Sequence, residues 1–188
     1  LPFVAPKKYW DIYDPEEISA PALETLPADV PEIAMHISRE LHSYDGVPKE
    51  AELSPELKRH LRHGYYASIS FLDAQVGLIL DALEASGHQD DTIVAFVSDH
   101  GFHIGEKTLW GKTSNFELDA RVPLIIADPR TERTQPSTDC LTELVDLYPT
   151  LTALAGIAND LPKNLEGNDL SSLLTKPVQT LKTAAFTQ

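Results

Sequence analysis

Apolar residues recur at Leu61, Tyr65, Ile69, Leu72, Val76, Ile79 and Leu83. Their steps of three and four residues follow the 3.6-residue repeat, so the spacing predicts an amphipathic helix. Ser54-Pro55-Glu56-Leu57 supplies its start: a serine cap, proline at the first helical position and an acid in the first turn. Gly87 supplies its stop. The helix is expected over Pro55–Ala85. Two apolar runs of a different kind follow. Ile93-Val94-Ala95-Phe96-Val97 and Val122-Pro123-Leu124-Ile125-Ile126-Ala127 are continuous and mostly β-branched or aromatic. Such runs predict strands buried on both faces, as in parallel α/β sheets. Leu141, Leu144, Val145, Tyr148, Leu151 and Leu154 return to helical spacing and predict a helix over 138–155, closed by Gly156 and bent at Pro149.

The first 55 residues hold eight of the 14 prolines. Proline fixes φ and lacks a donor, so extended segments and turns are expected there, with a short helix near 31–41. Three parts result: a proline-rich arm over 1–54, a helix–strand–helix core over 55–156, and a loop-rich stretch over 157–188. The last part predicts a short helix around 171–174 and a final strand at Ala184-Ala185-Phe186-Thr187.

Charge narrows the functional classes. Asp and Glu number 29 against 15 Lys and Arg, for a net charge of −14. A field of that sign repels phosphate backbones and anionic headgroups, so no nucleic-acid partner and no membrane-surface partner is expected. No uninterrupted run of about 18 apolar residues occurs, so no membrane span is expected. Cys140 is the only cysteine, which excludes an intramolecular disulfide or a cysteine-based zinc site. Length allows one domain or two small ones. The start, Leu1-Pro2-Phe3-Val4-Ala5-Pro6-Lys7-Lys8, lacks signal-peptide features and an initiator methionine, and reads as the interior of a longer protein.

Candidate chemistry follows the first strand, in Ser98-Asp99-His100-Gly101-Phe102-His103-Ile104-Gly105-Glu106-Lys107 and on to Trp110-Gly111-Lys112. Sites in open α/β sheets lie beyond the carboxyl ends of strands. Asp99 offers a hard oxygen suited to Ca²⁺ or Mg²⁺. His100 offers a nitrogen for an anionic oxygen or a borderline metal. Lys112 adds a point charge for an oxyanion. The same residues also read as a capped strand end with solvated charges.

Asp99-His100-Gly101, Gly105-Glu106, Trp110-Gly111-Lys112 and Val122-Pro123-Leu124-Ile125, in that order, resemble the sulfatase family of the alkaline-phosphatase-like superfamily, in its iduronate-2-sulfatase-like branch. Leu1-Pro2-Phe3 with Pro6-Lys7-Lys8-Tyr9, the stretch Tyr65–Gly77, Leu144–Leu151, and Leu165-Glu166-Gly167 resemble further family segments. The resemblance implies an α/β three-layer sandwich with a mainly parallel sheet, incomplete in this chain. It implies sulfate-ester hydrolysis, on carbohydrates or small molecules, by a formylglycine nucleophile and a Ca²⁺ ion. Asp99 and His100 match metal-site positions, and His100 and Lys112 sulfate-facing catalytic positions. His103 and Glu106 lie near the site and are read either as substrate contacts or as exposed loop residues. Family members are often periplasmic or secreted.

The formylglycine motif Cys/Ser-x-Pro-x-Arg is absent from the 188 residues. Cys140, followed by Leu-Thr-Glu, is read as a helix core residue. The expected nucleophile therefore belongs to another segment, and this chain alone is expected to be inactive and to bind Ca²⁺ weakly or not at all. A phosphodiesterase or phosphonate hydrolase of the same superfamily carries a similar Asp-His-Gly and stays open as an alternative, as does a non-catalytic binding or structural fragment. His60 and His63, with Arg59 and Arg62, are expected on a solvated helix face. Tyr9, Trp10 and Tyr13 either line a substrate pocket or pack on the sheet.

Overall fold

The computed structural model describes all residues except 1, 2, 22, 27, 36–38, 50, 51, 133–136, 159–161, 163, 177–179 and 188. In chain order the elements are α1 (Lys7–Trp10), α2 (Arg39–His42), α3 (Pro55–Ala85), β1 (Val94–Val97), β2 (His103–Ile104), β3 (Trp110–Gly111), α4 (Glu117–Ala120), β4 (Leu124–Ala127) and α5 (Leu147–Leu154), with short 3-10 turns between them. They fall into two compact units. One comprises 1–82 and 100–122, the other 83–99 and 123–188.

The first unit is organised on α3, whose bounds agree with the sequence expectation. Ser54 Oγ accepts the Leu57 N–H at 3.2 Å, as a serine cap should. Leu61 joins Leu41, Val47, Ile104 and Trp110 in a core, with Phe3, Tyr65 and Phe102 packed against it. Phe3 meets Tyr44, Tyr65 and Phe102 edge-on at 5.4–5.9 Å, the geometry the ring quadrupole favours. The proline-rich arm packs on α3. Tyr9 lies against Phe71 at 5.2 Å, Trp10 stacks on His60 at 5.2 Å, and Tyr13 Oη and Ser70 Oγ are 2.6 Å apart. Gly64 permits this approach, because a Cβ there would stand 2.9 Å from the Trp10 ring. The three aromatics of the arm are therefore packing residues on a helix, not on a sheet.

The expectation of a solvated face is corrected for two of its four residues. Arg62 and His63 are buried, at 6% and 7% exposure. Helical spacing alone does not show that the arm folds back over this face of α3. His63 Nε2–H donates to the Trp10 carbonyl at 2.8 Å. By length and composition α3 is also apolar enough to cross a bilayer, which a search for uninterrupted apolar runs does not register. Its first half carries buried Arg62 and His63, while only 6% of the apolar window is buried. Near 31–41 the structure has a 3-10 turn at Glu32–Ala34 and α2, while 36–38, including His36, lie outside the described residues.

In the second unit β1 pairs with β4 antiparallel, Val94 opposite Ala127 and Val97 opposite Leu124. Among the described residues both ladders are antiparallel, where the apolar runs led to an expectation of parallel neighbours. Ala95, Val97 and Ile125 are exposed, so these strands alternate instead of being covered on both faces. In these residues a continuous apolar run marks a strand but fixes neither its coverage nor its direction. Residues 138–143 are not helical. A 3-10 turn at Leu144–Asp146 leads into α5, where Pro149 falls in the first α-helical turn and needs no intrahelical donor. Cys140 consequently lies outside any helix, half-buried, with Sγ 3.6 Å from the Leu141 carbonyl. Residues 184–187 form no strand. They are tied instead by Phe186 N–H to Glu143 Oε1 at 2.8 Å and by Lys182 Nζ to Glu143 and Asp146 at 2.6 Å. Ser171–Leu174 is a 3-10 turn, close to the expected short helix.

Candidate active site

The Asp-His-Gly segment begins where β1 ends. Asp99 is exposed and closes the second unit's strand segment, while His100 is half-buried and opens the return to the first unit. His100 Nδ1–H donates to the Gly101 carbonyl at 2.8 Å. That bond fixes the tautomer of a neutral ring and directs any metal ligation to Nε2. Gly101 N–H donates to the Asp119 carbonyl at 2.8 Å. A side chain at 101 would collide with the Leu118 carbonyl, so the close approach of this loop to α4 requires glycine.

β2 and β3 form a short hairpin with His103 opposite Gly111 and Ile104 opposite Trp110. Lys112 follows directly. Its ammonium lies 3.4 Å from Glu40 Oε2, and the Tyr44 hydroxyl donates to Glu40 Oε1 at 2.9 Å. Lys107, Thr108 and Thr113 adopt positive φ of 53°, 64° and 94°. For β-branched threonine this is strained backbone, held in place by its surroundings.

Asp119 knots these loops together. Its Oδ1 accepts His103 Nδ1–H at 2.9 Å, and its Oδ2 accepts Ser114 N–H at 2.9 Å and Ser114 Oγ–H at 2.6 Å. His103 is wholly enclosed, at 0% exposure, with Nε2 unpartnered. Glu106 is turned inward: Oε1 accepts from Arg62 at 3.0 Å and Oε2 from Ile104 N–H at 2.8 Å. Burial works against the Glu106 carboxylate, yet these backbone and guanidinium hydrogen bonds hold its pKa below the usual range. Arg62 also donates to the Ile104 carbonyl at 2.9 Å and to the Tyr66 hydroxyl at 3.0 Å. Of the residues singled out by sequence, His103 and Glu106 thus brace the loop from inside, whereas His100 and Lys112 are partly accessible.

Sequence reasoning passed over Asp119, Ser114 and Glu40, and placed Arg62 on a solvated face. Asp119 is 16 residues from His103, and Arg62 is 44 from Glu106. No local spacing signals either pairing. Among the described residues no three His, Cys, Asp or Glu side chains converge on a metal position. Asp99 and His100 supply two donors where Ca²⁺ takes six to eight oxygens, so the residues present do not make a calcium site. In the second unit an open depression of about 560 Å³ is lined by Leu144, Val145, Tyr148, Pro162, Leu165 and Glu166 among others. Among the described residues its lining carries no Ser, Cys or His and no cation.

A sequence model of the family described as Sulfatase matches residues 8–157. Choline-sulfatase of Rhizobium meliloti (strain 1021) is 40% identical over 157 residues, covering 84% of this chain and 30% of the relative. Iduronate 2-sulfatase of Mus musculus is 31% identical over 187 residues, covering 84% of this chain and 34% of the relative. Among solved structures, phosphonate monoester hydrolase SpPMH from Silicibacter pomeroyi matches with a TM-score of 0.74 at 25% identity, over 97% of this chain and 36% of that one. The chain spans about a third of the length of the curated relatives it matches.

Proposed function

The chain belongs to the sulfatase family and carries part of its alkaline-phosphatase-like α/β fold, and from that premise we propose that the protein containing it hydrolyses sulfate esters, carbohydrate sulfates among them, with His100 and Lys112 facing the sulfate. The observation that carries this reading is the family match over 8–157, which includes the whole segment from Asp99 to Lys112. Lys112 would neutralise charge on the sulfate oxygens as it develops in the transition state. The Gly101 carbonyl, by engaging Nδ1, orients the His100 ring, and Asp119 holds both loops at a set spacing. A location outside the cytoplasm is proposed on family resemblance alone.

The nucleophile and calcium are also part of the proposal. The 188 residues contain no Cys/Ser-x-Pro-x-Arg, and their described donors do not make a calcium site. This chain by itself is expected to leave p-nitrophenyl sulfate unhydrolysed, and robust turnover by it would overturn that part of the reading. In the protein that contains this sequence, Lys112→Ala and His100→Ala are expected to lower kcat by about 10²–10³-fold, the loss typical of an oxyanion-stabilising group.

A second reading, phosphonate or phosphate monoester hydrolysis, is favoured by the TM-score of 0.74 to a phosphonate monoester hydrolase. Parallel assays on an aryl sulfate and a phenyl phosphonate separate the two. Turnover confined to the phosphonate refutes the sulfatase assignment of activity.

A further inference from the structure

Lys112 does not stand alone at the candidate site. Its ammonium faces Glu40 across 3.4 Å, and each side chain keeps about a third of its surface, 36% and 35%, so a solute can reach the pair. The two partners are held differently. Glu40 lies on α2 and accepts the Tyr44 hydroxyl, and the Tyr44 ring is seated edge-on against Phe3 beside the core of the unit. Lys112 carries its charge at the end of a flexible four-carbon stem. The Tyr44 hydroxyl, helped by the Lys112 ammonium, holds the Glu40 carboxyl below its usual range against the opposing effect of burial, and burial together with Glu40 pushes the Tyr44 phenol up to about 12. A fixed, ionised carboxylate therefore borders the position proposed for a sulfate.

We propose that Glu40 sets the affinity of this site for anions: its carboxylate competes with sulfate for the Lys112 ammonium, and the pair opens when an anion binds. The proposal rests on the reading of Lys112 as a sulfate contact. A 3.4 Å separation is long for a charge-assisted bond, so the pair itself is weak and easily opened. What persists after opening is repulsion between a fixed carboxylate and the arriving anion. Replacing that carboxylate by an amide should tighten sulfate binding by about three- to tenfold, the range for one surface charge a few ångströms from the ligand.

The test titrates inorganic sulfate, against chloride at matched ionic strength, into the ¹⁵N-labelled 188-residue chain, reading amide shifts over 110–114. Glu40→Gln is expected to bind about three- to tenfold tighter than the unmodified chain. Tyr44→Phe, which frees the carboxylate from its anchor but keeps its charge, is expected to give a smaller gain in the same direction. Lys112→Ala is expected to abolish the response. Equal or weaker binding by Glu40→Gln, with Lys112→Ala still abolishing the response, overturns the competition and leaves the sulfate reading standing. Should Glu40→Gln fail to fold, unchanged or weaker binding by Tyr44→Phe overturns it in the same way. No sulfate response in the unmodified chain, or an undiminished one in Lys112→Ala, overturns the sulfate reading and the proposal with it.

Discussion

Replacing Asp119 by alanine removes three hydrogen bonds at once: those from His103 Nδ1, from Ser114 N–H and from the Ser114 hydroxyl. The site offers little compensation. Asp119 and His103 are buried, at 5% and 0% exposure, and His103 Nε2 already lacks a partner. After truncation neither ring nitrogen would be satisfied, and a buried unsatisfied polar group costs about 1–3 kcal/mol. Ser114 loses an ionic acceptor as well, and hydrogen bonds to charged groups contribute about 1.5–3 kcal/mol each when taken singly. Bonds to one carboxylate are not additive, so the expected loss is about 3–4 kcal/mol of unfolding free energy. Asp119→Asn separates geometry from charge. Its carbonyl can still accept from His103, while its NH₂ faces the Ser114 N–H and the hydroxyl must turn to accept. A loss of about 1–2 kcal/mol is expected there. Urea unfolding followed by fluorescence measures both, and amide exchange at 112–114 should accelerate in Asp119→Ala well before global unfolding. A loss under about 1 kcal/mol in Asp119→Ala, or equal losses in the two variants, would refute the claim that this carboxylate ties the loops together.

Three further outcomes are expected. Burial opposes the Asp146 carboxylate, but Lys182 and the N–H groups of Asn168 and Glu143 hold its pKa below the usual range; burial likewise opposes the Lys182 ammonium, which its two carboxylates hold above its own. The Asp146 contribution is complete above the ordinary aspartate range and fades as pH falls through its lowered value; the Lys182 contribution is complete below the ordinary lysine range and fades as pH rises through its raised value. Lys182→Met should therefore cost about 2 kcal/mol at pH 7, less than a fully buried pair because two N–H donors to Asp146 remain, and the gap to the unmodified chain should close as acid protonates Asp146; a pH-independent gap in urea unfolding contradicts this. Gly101→Ala must displace the loop from the Leu118 carbonyl, and loss of exchange protection at Gly101 and Ser114 is expected, with unchanged protection counting against the steric argument. Calorimetry with CaCl₂ should find weak or no binding by the 188-residue chain, and micromolar affinity abolished by Asp99→Ala would show that the two-donor accounting is wrong.

What could be read from the sequence is what depends on local spacing. The helix Pro55–Ala85 is carried by its own apolar repeat and cap, so its bounds agree with the structure. β1 and β4 are legible as apolar runs, each a residue or two shorter than expected. Asp99, His100 and Lys112 stand out because they are polar residues soon after an apolar run. The helix expected over 138–155 shortens to α5 because residues 138–143, though partly in apolar register, lack a local start. The start that forms is at Glu143, whose N–H is taken by the Asp146 carboxylate at 2.8 Å.

By itself, then, the sequence determined the α/β class, the long helix, the candidate loop and the absence of a formylglycine motif from these residues. Each follows from neighbours within a few positions or from composition. The tertiary structure alone decided that His103 and Glu106 brace the loop from within, that Asp119 and Arg62 hold it, that the arm's aromatics pack on a helix, and that Glu40 stands against Lys112. All of these depend on contacts between residues 16 to 72 positions apart. Whether a polar side chain ends up braced or reactive is set by which distant groups desolvate it and fill its hydrogen bonds, and no local pattern encodes that.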